Sequence, residues 1–295
     1  MRRGLERLLV HAIDYAGLFP PARLDMPAAI TQYAELYDAP DTWIVDRFVC
    51  PVGRLNQLAE NMSLWPNDDP LPLTVIGTAG ADVASVDAEL ATIGAFESAQ
   101  DDRVVVAAYE VKPNDLGPVA ERLSRVDDWE TFIEVDWTAD VAEQVFRVAE
   151  FDGVGVKART GGVTAEAFPS AELLATFIRE AVSLETPFKF TAGLHHALPH
   201  HDGLIGARHH GFLNVFTAAV MADSHGLSSQ ILADILNETR SDAFRFTDEG
   251  MNWDGLEATL AEIDDARSLA VGWGSCSVAE PLADLRALGL WEVLR

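Results

Sequence analysis

Short runs of apolar, often β-branched residues alternate with amphipathic segments along almost the whole chain. Apolar residues that recur every second position predict strands, and spacings of three or four predict helices. The predicted strands are Leu9–Tyr15, Thr42–Cys50, Leu73–Thr78, Val104–Lys112, Thr131–Trp137, Gly153–Thr160, Phe188–Gly193 and Leu269–Gly274. The predicted helices are Met26–Tyr37, Arg54–Asn61, Val83–Phe96, Leu116–Arg125, Ala139–Glu150, Ala171–Leu184 and Pro281–Leu288. Because strands that alternate with helices form parallel sheets, this order predicts an α/β fold.

Eight strands favour closure into a single (β/α)8 barrel of the TIM type, with residues 1–295 as one domain. An open doubly wound sheet is the alternative, but no Gly-x-Gly-x-x-Gly string follows an early strand. Residues 197–266 break the repeat with a loop rich in His and Gly and two apolar helical segments, Phe212–Ala222 and Ser228–Asn237. We interpret this segment as an elaboration before the last strand that serves as a lid or a subunit contact.

The amino-acid composition limits the classes of molecule that the chain is expected to bind. With 48% hydrophobic residues the chain can bury a large core, and its formal net charge of -26 disfavours nucleic acid and anionic membranes, which require basic surfaces. The two cysteines are far apart, and the N-terminal segment lacks the long apolar run of a signal peptide. We therefore expect a cytoplasmic protein that binds a small-molecule substrate, and homo-oligomer formation is compatible with this expectation.

Lysine is rare in the sequence. Of 21 basic residues only Lys112, Lys157 and Lys189 are lysines, and all three fall in predicted strands. A bias toward arginine explains the rarity without any function. However, a lysine that persists under such a bias is one that arginine cannot replace, because only lysine readily loses its proton and acts as an amine.

Four consecutive predicted strands carry polar residues two positions apart, a spacing that puts both side chains on one face. The pairs are Glu110 and Lys112, Glu134 and Asp136, Lys157 and Arg159, and Lys189 and Thr191. They lie toward the carboxyl ends of their strands, where barrel enzymes hold their catalytic residues. The pattern predicts a functional lumen in which opposite charges pair, whereas solvated strand ends are the alternative interpretation.

Two strings at the ends of the sixth and seventh predicted strands contain the lysines: Lys157-Ala-Arg-Thr-Gly161 and Lys189-Phe-Thr-Ala-Gly193. They resemble the class I aldolases of the deoxyribose-phosphate aldolase type. The resemblance implies that Lys157 forms a Schiff base, that Lys189 lowers the pKa of Lys157, and that Asp136 or Glu134 shuttles protons. Oxyanion or substrate contacts are expected from Arg159, Thr160, Gly161, Thr191, Gly193 and Lys112.

Six of the eight histidines lie between residues 195 and 210. We expect His195 or His196 to act as a general acid–base or to contact substrate. A divalent metal bound with lumen carboxylates is possible, but no His-x-His or His-Glu-x-x-His string supports it, so no cofactor is predicted. In Gly274-Ser-Cys-Ser277, Ser275 is a candidate ligand for a phosphate or carboxylate, or alternatively a helix cap.

The sequence thus predicts an enzyme acting on a small oxyanion-bearing or carbonyl substrate, with Glu110, Glu134, Asp136, Lys157 and Lys189 as its catalytic residues. An aldolase-type lyase acting through Lys157 is the favoured hypothesis. One alternative is a metal-assisted hydrolase, isomerase or enolising lyase that uses the histidines. The other alternative is a non-catalytic barrel that serves as a binding module. The chain is also similar to uncharacterised bacterial proteins that contain the same strings as residues 14–21 and 191–196. This similarity does not indicate which activity the chain has.

Overall fold

Eight parallel strands close into a barrel in the computed structural model, which describes residues 1–39 and 43–291. The strands of the chain are β1 (Ile13–Tyr15), β2 (Val45–Pro51), β3 (Leu71–Ile76), β4 (Val104–Val111), β5 (Glu130–Glu134), β6 (Val154–Arg159), β7 (Phe188–Thr191), β8 (His200–Asp202), β9 (Ala207–His209), β10 (Phe244–Phe246), β11 (Gly250–Trp253), β12 (Leu256–Thr259) and β13 (Ala270–Ser275). The barrel order is β1-β13-β7-β6-β5-β4-β3-β2. The predicted (β/α)8 barrel is confirmed; the start of the predicted second strand, Thr42, lies outside the described residues.

Helices surround the barrel, and six of the eleven described helices begin at a capping side chain. They are α1 (Arg3–Leu9), α2 (Met26–Asp38), α3 (Leu55–Asn61), α4 (Val83–Ser98), α5 (Leu116–Leu123), α6 (Val141–Ala149), α7 (Ala171–Ser183), α8 (Phe212–His225), α9 (Ser229–Asn237), α10 (Leu260–Leu269) and α11 (Ala279–Ala287). Asp25, Asp82 and Asp140 each accept a backbone N–H of the first turn that follows. Within the described chain, no helix has the length and apolarity needed to cross a bilayer.

The N-terminal segment differs from its prediction. A strand was expected over Leu9–Tyr15, but the chain first forms α1 and enters the barrel only at Ile13. Leu5, Leu8 and Leu9 are spaced as on one helix face, and all are buried. The short apolar run was therefore the end of an amphipathic helix followed by a three-residue strand.

The inserted segment between β7 and β13 has three parts. A hairpin of β8 and β9 follows β7, the helices α8 and α9 come next, and β10, β11 and β12 form an antiparallel sheet before α10. Helix α8 is buried on all sides over residues 212–222, which explains why apolar residues occur around its whole circumference. The region from Phe244 to Trp253, for which the sequence predicted no element, pairs as antiparallel strands. Helix α8 therefore belongs to the core, whereas fewer than half of the residues in the whole insertion are buried.

Strand register sets the level of the charged residues in the lumen. Glu134 on β5 pairs in register with Lys157 on β6, and Lys157 pairs with Lys189 on β7. These three positions consequently lie side by side. At the amino-terminal end of the strands, Arg47 forms ion pairs with Asp46 (3.1 Å) and Glu130 (2.8 Å).

The ends of β6 and β7 approach each other through glycines. Gly193 has a φ of +79°, and a Cβ built on it would lie 2.5 Å from the carbonyl oxygen of Thr160 and 2.9 Å from the Cα of Gly161. The positive φ disfavours a larger residue at this position, and the close approach of the two backbones excludes one. The Thr-Gly and Ala-Gly strings after the two lysines thus have a packing role.

Gly193→Ala is expected to destabilise the protein by about 2 kcal/mol or more, because the methyl group meets backbone atoms in addition to the unfavourable φ. Gly226→Ala is the matched control, since Gly226 also has a positive φ (+59°) but open space around it. The control should lose only about 1 kcal/mol. Denaturant unfolding of both variants measures the difference, and equal losses would contradict the packing role.

Candidate active site

Five ionisable side chains form a buried group in the upper lumen, which we call the lumen cluster: Asp14, Glu110, Glu134, Lys157 and Lys189. They come from five different strands or strand ends, β1, β4, β5, β6 and β7. Three carboxylates face two ammonium groups, and the partly exposed Lys112 adds a third cation near the rim, 3.9 Å from Glu134. A barrel interior normally holds branched apolar side chains, so this charged interior is unusual.

Glu110 bridges the two buried lysines. Its Oε2 lies 3.0 Å from Nζ of Lys157, and its Oε1 lies 2.6 Å from Nζ of Lys189. Glu134 is a second partner of Lys157 at 3.0 Å, and Asp14 is a second partner of Lys189 at 2.5 Å. The hydroxyl of Thr74 donates to the same Asp14 oxygen at 3.1 Å. Each ammonium group is therefore held between two carboxylates.

These pairs determine the protonation of the cluster. Burial disfavours the charged form of Glu110, but Lys189 and Lys157 outweigh it and lower the Glu110 pKa to about 2. Burial likewise opposes the charged form of Lys157, yet Glu110 and Glu134 raise its pKa above the usual value. The expectation that Lys189 lowers the pKa of Lys157 is not met, because the Glu110 carboxylate lies between the two amines.

A cavity of about 750 Å³ opens at the carboxyl ends of the strands. Lys157, Glu110, Glu134 and Asp14 are among its lining residues, whereas Lys189 is not. Lys157 is only 4% exposed, so its amine lies at the inner end of this cavity. Of the two buried lysines, Lys157 is consequently the one that faces incoming ligand, and Lys189 lies behind it.

Asp136 does not join the lumen cluster. It was expected to share a face with Glu134, but β5 ends at Glu134 and Asp136 is exposed. Its carboxylate accepts hydrogen bonds from the backbone N–H and the hydroxyl of Thr138, which lower its pKa. The side chain therefore stabilises a local turn instead of facing substrate.

The residues that follow the lysines divide into two groups. Arg159, Thr191 and Gly193 line the cavity. Thr160 does not, because its hydroxyl donates to the carbonyl of Ala192 at 2.5 Å, and Gly161 packs against Gly193. The expected oxyanion contacts from Thr160 and Gly161 are thus replaced by contacts that join two loops.

Ser275 is also occupied within its own turn. Its hydroxyl donates to the carbonyl of Ser277 at 2.7 Å and accepts from the backbone N–H of Ser277 at 3.3 Å. It is buried and does not line the cavity, although its neighbours Gly274 and Cys276 do. This hydroxyl holds the chain between β13 and α11, so a ligand would meet the neighbouring residues first.

His195 and His196 follow β7 and bind two different carboxylates of α11. His195 Nδ1 lies 3.1 Å from Glu280, and His196 Nδ1 lies 3.1 Å from Asp284. His195 lines the cavity, and burial lowers its pKa. Over residues 1–39 and 43–291, no group of three or more His, Cys, Asp or Glu side chains is arranged to hold a metal ion. The metal-assisted alternative stays a prediction.

The hairpin of β8 and β9 adds residues that the sequence did not single out. Asp202, Ile205 and His209 line the cavity, and the ring of Phe168 stacks against His209 with centroids 4.2 Å apart. Burial, together with His200, lowers the pKa of His209 to about 4. Its buried Nε2 has no hydrogen-bond partner among the described residues. A neutral imidazole whose Nε2 lies 3.9 Å from the Asp202 carboxylate therefore forms part of the cavity wall.

Asp14 was not among the catalytic residues predicted from the sequence, although it is an acidic residue within the first predicted strand. The rule that located the other lumen charges requires two polar residues two positions apart, and residues 12 and 16 are both alanine. The partner of Asp14, Lys189, lies two strands away in the barrel order, beyond the reach of local sequence patterns.

Comparison with known proteins gives no relatives: no protein family, curated protein or solved structure matches the chain. The function must therefore be inferred from the geometry of this site.

Glu110→Gln is expected to destabilise the protein by about 3 kcal/mol at neutral pH, because the neutral amide cannot balance the charges of the two buried ammonium groups. The Glu110 pKa lies below the ordinary 4.5, so its stabilisation is complete above pH 4.5 and is lost as the pH falls toward 2. The gap between wild type and variant should shrink over that range.

Urea unfolding across this pH range measures the gap. Glu121→Gln is the control, because Glu121 is exposed on α5 and pairs with the exposed Arg125. A gap that stays constant as the pH falls would show that Glu110 is not a buried carboxylate held by the lysines.

Proposed function

We propose that the chain is an enzyme acting on a small carbonyl compound, and that Lys157 reacts with the carbonyl as in aldolase-type lyases. The observation that carries the proposal is the position of Lys157 at the inner end of the cavity between Glu110 and Glu134. A cavity of about 750 Å³ suits a small-molecule ligand. The resemblance of the two lysine strings to class I aldolases adds support.

The lumen cluster supplies what the reaction needs. The Lys157 ammonium transfers a proton to Glu134, and the neutral amine then attacks the carbonyl carbon. The carbonyl oxygen takes up one proton from the attacking nitrogen and one from Glu134 and leaves as water, which gives an iminium ion. When a base removes the proton of a hydroxyl group on the β carbon, the carbon–carbon bond breaks and its electron pair moves to the nitrogen. The products are an aldehyde and an enamine.

Lys189 has a supporting role in this scheme. Burial opposes its charge, but Asp14 and Glu110 raise its pKa above the usual range, so it stays an ammonium ion. From its position behind Lys157, the Lys189 ammonium group keeps the Glu110 carboxylate ionised while the charge of Lys157 changes during the reaction. Its contribution is electrostatic, since it does not line the cavity.

Reduction with borohydride in the presence of small aldehydes or keto acids should add the substrate mass to Lys157 alone. Peptide mapping separates this lysine from Lys112, Lys189 and the N-terminal amine, and Lys157→Met should abolish the label. The absence of a label across a broad panel, or labelling only at Lys112, would contradict the covalent mechanism.

A second candidate is an enolising enzyme in which Lys157 stays protonated. It is favoured by the two carboxylates that hold Lys157 and raise its pKa. The ammonium group then stabilises the enolate oxygen, and a carboxylate or His209 removes the proton beside the carbonyl. This mechanism needs a cation at residue 157 rather than an amine.

Lys157→Arg separates the two mechanisms, because a guanidinium group keeps the charge but forms no imine. Proton NMR in D2O measures exchange of the hydrogens beside the carbonyl of a keto acid. With a covalent mechanism the variant should lose activity by about a hundredfold or more, as Lys157→Met does. With an enolising mechanism Lys157→Arg should keep a measurable part of the rate that Lys157→Met loses.

A further inference from the structure

Two arginines line the mouth of the cavity and have no acidic partner. Arg23 lies in the loop between β1 and α2, and Arg159 is the last residue of β6; both are exposed. In the described part of the chain, no carboxylate lies within 4.0 Å of either guanidinium group. Lys157, by contrast, has two carboxylates at 3.0 Å. Although the chain has 47 acidic and only 21 basic residues, both guanidinium groups remain available to bind a ligand at the mouth of the cavity.

The backbone holds Arg23 in a conformation that L-residues rarely adopt. Its φ is +48°, although a glycine would reach this region without strain. The loop is fixed by hydrogen bonds from the N–H of Arg23 to Phe19 and from the N–H of Leu24 to Gly17, both 2.9 Å long. A strained site that carries a long charged side chain into a cavity indicates that the side chain itself is used.

The two arginines lie on different sides of the opening. Strands β13 and β7 separate β1 from β6, so Arg23 and Arg159 face the cavity from positions three strands apart around the barrel. Arg159 follows Lys157 by two residues on the same strand, which places its backbone about 7 Å nearer the opening. The walls between these levels include apolar side chains, among them Phe19, Ile76 and Phe168.

We infer that Arg23 and Arg159 form an anion subsite that selects carbonyl substrates carrying a carboxylate or phosphate group. The carbonyl lies at Lys157, a short carbon chain passes the apolar walls, and the anionic group lies between the two guanidinium groups. Arginine suits this task, because it stays charged and presents paired donors to planar or tetrahedral oxyanions. The substrate class rests on the proposed function of Lys157, but anion binding at the mouth does not.

Calorimetric titration with inorganic phosphate and with 4-oxopentanoate tests the subsite in the intact protein. Wild type should bind at least one of these anions saturably, and Arg23→Met and Arg159→Met should each weaken that binding by about tenfold. Arg125→Met is the control: it removes one exposed arginine just after α5 and should bind like wild type. Phosphate binding with little keto acid binding identifies the anionic group as a phosphate, and the reverse result identifies a carboxylate.

Saturable binding of neither anion, or wild-type affinity in both cavity variants, would overturn the subsite. A second experiment compares borohydride labelling by 4-oxopentanoate and by its uncharged methyl ester. Wild type should prefer the acid, and the two arginine variants should lose that preference. Anion binding that depends on both arginines without any labelling supports the subsite while contradicting covalent chemistry at Lys157. Labelling that the arginine variants do not change would refute the subsite and leave the proposed function intact.

Discussion

The Glu110 carboxylate between two buried ammonium groups is the interaction on which the upper lumen depends. Lys157 and Lys189 occupy neighbouring register positions, where two desolvated like charges would repel strongly. With one oxygen directed to each amine, Glu110 balances both charges at distances of 3.0 and 2.6 Å. The lumen can therefore be polar where other barrels pack apolar side chains, and the space above becomes a cavity.

The same pairs connect strands that share no backbone hydrogen bonds. Lys189 on β7 reaches Asp14 on β1 and Glu110 on β4, and Lys157 on β6 also reaches Glu110. These ion pairs cross the lumen, so site geometry and barrel closure depend on the same side chains. A substitution that improves the catalytic chemistry of one cluster residue therefore also alters the packing of several strands. This coupling explains why every charge of the lumen cluster has an opposite partner in this structure.

Sequence periodicity located four of the five cluster residues, because alternation along a strand is a local property. It placed Glu110, Glu134, Lys157 and Lys189 in the lumen without knowledge of their partners. It misplaced Asp136, since the point where β5 ends depends on a turn held by Thr138. The string that follows Lys157 assigned the Thr160 hydroxyl to ligand binding, but in the folded chain this hydroxyl donates to the Ala192 carbonyl, a contact that no local pattern shows.

The acidity of the chain and its unpaired arginines are consistent with each other. A net charge of -26 repels anions at long range, but at physiological ionic strength such repulsion is screened beyond about 8 Å. The buried carboxylates of the lumen cluster are paired with lysines, whereas Arg23 and Arg159 at the mouth of the cavity have no carboxylate within 4.0 Å among the described residues. At the subsite that we propose, these two cations therefore act on an anion at short range, at one opening of an otherwise repulsive surface and at the same end of the barrel as Lys157.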